Sequence, residues 1–146
     1  MRRKGIWIGI GVLALMQLVQ PDRSPPASDP AQHLEQVMAV PANVKIILAE
    51  GCYDCHSSNS NYPWYSYITP VNFWQQDHIS DAREELNFSD WGTYSSKRID
   101  KKLKEIKQEV SEGEMPLPSY TWIHADARLS DAQRKELVAF FEGLPH

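Results

Sequence analysis

The sequence predicts an all-α domain behind an N-terminal hydrophobic helix. Apolar residues recur three and four positions apart in several stretches, and no run alternates as a strand does. The chain's only two cysteines fall together at the end of one such stretch, in Cys52-Tyr53-Asp54-Cys55-His56. No internal repeat is visible.

The chain starts with the basic Met1-Arg2-Arg3-Lys4, followed by the apolar run Gly5 to Val19, the pattern of a secretory signal or an anchor. A helix of ~15 residues spans ~22 Å, short of a ~30 Å hydrocarbon core unless Gln20 and Arg23 snorkel. Length favours a cleaved signal peptide. The lack of a small-x-small site directly after the run favours an uncleaved anchor with its basic end in the cytoplasm. Residues 1–20 are read as this segment, 21–33 as a tether rich in proline (Pro21, Pro25, Pro26, Pro30), and 34–146 as one domain. Either fate of the N-terminus places the domain in the periplasm or at the outer face of the cytoplasmic membrane, held there by the helix if it is uncleaved. Residues 31–146 carry eleven basic and seventeen acidic side chains, which argues against nucleic acid as a partner.

Val44, Ile47 and Leu48 predict a helix over roughly 41–50, with Asn43 available as its cap, running into the cysteine motif. A single C-x-x-C-H is the spacing of covalent c-type haem attachment. Two thiols three positions apart can each add to a haem vinyl group, and the histidine that follows falls beneath the iron. Cys52 and Cys55 are therefore the expected attachment points and His56 the proximal ligand of one haem c. A thioredoxin-like dithiol would require a βαβ context, and structural zinc a second ligand pair; the sequence offers neither.

A polar loop, 57–61, leads to Tyr62-Pro63-Trp64-Tyr65-Ser66-Tyr67, whose rings are expected to line the haem crevice, with ordinary core packing as the alternative. Pro70 opens a helix over 71–87 that carries His78 on or beside its apolar stripe, as an alternative distal iron ligand or a plain surface histidine. Residues 87–92 read as a turn. Ile99, Leu103, Ile106 and Val110 predict the clearest helix, 96–111, whose lysines offer a docking patch for an acidic redox partner or a solvated face. Met115, on the proline-stiffened loop 113–118, is the expected distal ligand, because a thioether is a soft neutral donor. A short helix at 120–124 brings His124 as a third ligand candidate. Ser130 and Gln133 form a capping box for a last helix, with Leu137, Phe140, Phe141 and Leu144 on one side, able to pack on the haem helix.

The stretches CYDCHSSNSNYPWYSYITPVNFW, HISDAREELNFSDW and MPLPSYTWIHADARLSDAQRKELVAFF resemble the small haem-binding domain family of bacterial envelope proteins with one C-x-x-C-H. The order of a helix ending in that motif, a Met-Pro loop and a C-terminal helix is also similar to small mono-haem cytochromes c. The resemblance implies a cytochrome c-like fold and envelope redox chemistry with redox proteins as partners, since members occur alongside cytochrome c and di-haem peroxidase modules. His78 lies in an aromatic segment that ordinary small cytochromes c lack, which keeps a bis-histidine site open.

The expected function is one-electron transfer by a His/Met-ligated haem, with no catalytic residue assigned. The alternatives are a redox or gas sensor, or peroxidase-associated module, with an open or displaceable sixth site, and a structural haem domain of an envelope complex.

Overall fold

The computed structural model describes residues 2–145. Among them all regular structure is helical. Helix α1 (Arg2–Met16) leaves its side chains exposed from Arg3 onward. The expected hydrophobic helix is thus present, yet no described helix is long and apolar enough to cross a membrane.

Residues 17–23 are bound to the domain. The Gln17 side-chain amide donates to Thr69 O at 3.1 Å and accepts from Thr69 N at 2.9 Å. Gln20 donates to Tyr67 O and accepts from Asn72 Nδ2, and Arg23 donates to Ser66 O while stacking 4.4 Å over the Tyr67 ring. Further on, Asp29 caps a single 3-10 turn, Pro30–Gln32, which packs with α2 (Leu34–Val37) against a second 3-10 turn, Phe88–Thr93.

Helix α3 (Ala42–Gly51) buries Val44, Ile47 and Leu48, the predicted stripe. Its N-cap is Pro41, so Asn43 lies inside the helix and caps nothing. The cysteine motif does not continue α3 as expected. At Cys52, with φ −127° and ψ −46°, the chain leaves α-helical geometry and restarts as one turn, α4 (Tyr53–His56). Helix α5 (Val71–Glu85) follows Pro70 and ends at an extended Leu86. The predicted turn after it is the Phe88–Thr93 3-10 turn, which buries Phe88 and Trp91.

Helix α6 (Ser96–Glu112) is capped by Ser95 and closed by Gly113 at φ +83°, a left-handed position where glycine has no Cβ to clash. The carbonyl of Glu109 accepts from both Glu114 N and Met115 N, starting the proline-rich loop. Short α7 (Pro118–Thr121) precedes α8 (Asp131–Glu142), whose Ser130–Gln133 capping box forms in full.

The core joins α3, α6 and α8 through Leu48, Leu103, Val110, Leu137 and Phe141, with Phe88 and Trp91 filling the gap to α2. Burying each of these side chains contributes about 1.5–3 kcal/mol, and the α3–α8 contact expected of the C-terminal aromatics is made. Helices α4 and α5 pack against each other beside this core, and the space between the end of α3, α5, α6 and the Met115 loop is where the site lies.

Candidate haem site

Backbone groups hold His56. Its Nδ1 lies 3.1 Å from Ala82 O and 3.0 Å from Leu86 O, at the end of α5. Carbonyls only accept, so Nδ1 carries the proton and Nε2 keeps its lone pair. Burial holds the imidazole below the ordinary histidine pKa, although the two carbonyl bonds pull the other way, so the ring is neutral near pH 7. Phe88 sets its ring edge-on, with centroids 6.4 Å apart.

Cys52, the N-cap of α4, and Cys55, within that turn, are free thiols, both half-buried. Burial, with the neighbouring Cys55 adding, pushes Cys52 up to about 12; burial, with Asp54 adding, pushes Cys55 up to about 11. A redox dithiol needs the opposite, a thiol lowered toward neutrality. Among the described residues, no group of three or more His, Cys, Asp or Glu is placed to hold a metal ion.

The segment after the motif is clamped. Arg83 donates through Nε to Ser57 O at 2.8 Å and through its terminal nitrogen to Ser60 Oγ at 2.9 Å. Ser58 N donates to Ser89 Oγ, and Asp54 accepts from Tyr120 Oη at 2.7 Å and from Asn61 N at 3.2 Å. These bonds fix α4 against both α5 and α7.

Two cavities meet at Gly51, His56, Glu85 and Met115. One, of about 410 Å³, is walled by Leu86, Phe88, Ile106, Val110 and Phe141; the other, of about 250 Å³, by Ala82, Leu117 and Tyr120. Cys52 borders the first and Cys55 the second. Gly51 lies close under the loop: a Cβ there would sit 3.2 Å from Pro116 Cγ, so the proline ring would have to shift by a few tenths of an ångström to admit it. Lys102, its side chain 6% exposed, closes one edge of the larger cavity between Glu85 at 3.1 Å and Glu105 at 2.7 Å. Burial alone would lower its pKa, but the bonds to Glu105 and Glu85 leave it raised and the ammonium charged.

Of the ligand candidates, Met115 is half-buried and borders both cavities, its carbonyl held by Arg134 at 3.2 Å. His78 is exposed at the rim of the smaller cavity, with Nδ1 2.9 Å from Trp74 O and its ring 4.4 Å from Trp74. His124 borders neither cavity. Its Nε2 meets the Tyr65 hydroxyl, and its ring stacks on Tyr120 at 4.1 Å.

The expectation that Tyr62 to Tyr67 line the crevice is not met: none of these side chains borders either cavity, and Tyr65 is drawn to His124. The lining aromatics are Phe88, Phe141 and Tyr120. Sequence reading also missed the carbonyls of Ala82 and Leu86, Arg83, Gly51 and the Lys102 ion pairs. The last had a signal in Lys102 and Glu105, three apart on a predicted helix.

The donor set fits a haem. It comprises a neutral imidazole with its proton engaged by two backbone carbonyls, a thiol bordering each of the two cavities that meet at it, and an apolar space within the ~300–1,000 Å³ usual for cofactor pockets. A family model described as a haem-binding domain matches residues 11–143. No curated protein and no solved structure matches the chain.

Proposed function

The chain belongs to the haem-binding domain family, and from that premise we propose that it holds one haem c and carries single electrons in the cell envelope. Cys52 and Cys55 would hold the group, each thiol's S–H adding across a vinyl C=C to give a thioether, an addition that would consume no oxidant. The bound haem supplies reversible uptake and release of one electron.

The protein's part is positioning and exclusion of water. The observation that carries this reading is the fixing of His56 Nδ1 by two carbonyls, which leaves Nε2 with the lone pair that would hold the iron, at the residue shared by the cavities that Cys52 and Cys55 border. Leu86, Ile106, Val110 and Phe141 keep the larger cavity apolar. Met115, on a loop set by Glu109 O and Arg134, would hold the iron together with His56, and His/Met ligation would raise the reduction potential. Redox proteins of the envelope are the partners. The apolar, exposed α1 supports a membrane placement for an exported domain, at the outer face of the cytoplasmic membrane.

A second reading, a redox or gas sensor with a displaceable sixth ligand, is favoured by the smaller cavity, which Met115 and His78 share. Optical spectra of protein matured with a c-haem assembly system, extended to the near-infrared, separate the two. A sulfur-to-iron charge-transfer band with sharp reduced bands is the expected result. A broad high-spin spectrum would move the sensor reading to the front, and sharp bands without the sulfur feature would make His78 the ligand.

A further inference from the structure

Away from the haem site, the apolar surface is gathered in one place. Among the described residues beyond 19, the exposed large hydrophobic side chains, Val37 and Ile46 excepted, belong to 64–74 and 122–123. Trp64 is 76% exposed, Trp74 50% and Trp122 82%, a concentration of indoles that ordinary solvent-facing surface does not carry. The two stretches meet where the Tyr65 hydroxyl bonds His124, with Trp64 edge-on to Tyr65 at 5.9 Å. Both are electrically bare: no Asp, Glu, Lys or Arg occurs from Asn61 to Gln76 or from Met115 to Ala125. Helix α6, by contrast, is dense in both signs.

Helix α1 is rooted at this face. Gln17, Gln20 and Arg23 bond the backbone of 66–69, and Thr69 Oγ1 donates to Val19 O, so the side chains there satisfy polar groups that would otherwise need water. A helix as short as α1 reaches only ~22 Å, and a short apolar segment in a ~30 Å core draws its flanking groups into the interface. The flank at its C-terminal end is this surface of Trp, Tyr and Ile, on which the Arg23 guanidinium lies against Tyr67, the residue chemistry of a membrane–water boundary.

We infer that the face formed by 64–74 and 122–123 rests in the headgroup layer of a phospholipid bilayer, beside an inserted α1. The domain then keeps a set orientation and does not swing on its proline-rich segment, and the contact of Trp74 with His78 brings this face to the rim of the smaller cavity. The inference rests on the membrane placement proposed above for α1, but the face is a separate claim.

Fluorine NMR of the full chain carrying fluorotryptophan, in vesicles of phosphatidylcholine and phosphatidylglycerol, tests it. The five tryptophans are assigned by single Trp→Phe substitutions. Spectra are compared with and without a phosphatidylcholine bearing a nitroxide just below the headgroups, so the haem's own paramagnetism cancels. The expected result is loss of most intensity at Trp7, Trp64, Trp74 and Trp122, while buried Trp91 is retained. Broadening of Trp7 alone would keep the anchor and overturn the face, assigning it to a protein partner. Broadening of Trp64, Trp74 and Trp122 without Trp7 would sustain the face and remove the anchor. Sharp signals throughout would overturn both.

Discussion

The two walls of the haem site are built on different terms. On the motif side, His56 is oriented by two main-chain carbonyls, and the loop behind it is pinned by Arg83, Asn87 and Ser89. On the facing side, Met115 stands on a loop held by two bonds to Glu109 O and one from Arg134, and His78 lies exposed at the rim. Backbone acceptors at the end of a packed helix move only if the helix moves, whereas a methionine with three rotatable bonds is adaptable. The molecule is thus rigid around the cysteine motif, where attachment is proposed, and adjustable on the side of the proposed distal ligand.

Breaking the rigid wall should cost the most stability. Arg83→Ala removes a charged donor from Ser57 O and Ser60 Oγ, and is expected to lower unfolding free energy by about 1–3 kcal/mol in urea titrations of the haem-loaded chain. An unchanged midpoint would show that the clamp contributes nothing.

The adjustable wall should respond in ligand chemistry. Met115→Ala is expected to raise carbon monoxide affinity of the reduced protein at least about tenfold, or about 1.4 kcal/mol, and to lower the reduction potential. His78→Ala should leave both unchanged. An exchange of these two outcomes would make His78 the distal ligand.

A smaller effect sharpens the proximal wall through protons. In the haem-free chain, burial depresses His56 and His33 below 6.5, so the unfolded state binds protons that the folded state refuses. Stability is then fully present above that value and falls as pH drops below it, by up to about 1.4 kcal/mol per pH unit for each histidine. His56→Gln should flatten the slope, leaving the part due to His33, as urea unfolding across the acid range would record.

The cysteine motif stood out because the attachment proposed for it would dictate both residue type and spacing, and α3, α6 and α8 were legible because their stripes at Val44–Leu48, Ile99–Val110 and Leu137–Phe141 keep helical period. The orienters of His56 were not, since a backbone carbonyl at Ala82 or Leu86 leaves no mark in side-chain pattern. Gly51 reads as an ordinary helix end until folding brings Pro116 against it. The Tyr62–Tyr67 cluster misled for a related reason: dense aromatic residues report that a surface seeks cover, without saying whether a haem, a core or another phase provides it.

Covalent attachment is the central claim, and the intact mass of denatured protein, after maturation with a c-haem assembly system, tests it most directly. The account predicts one haem retained per chain after acid and organic extraction, and none on a Cys52→Ser, Cys55→Ser double variant. A wild-type chain that emerges from extraction at its bare polypeptide mass would contradict it.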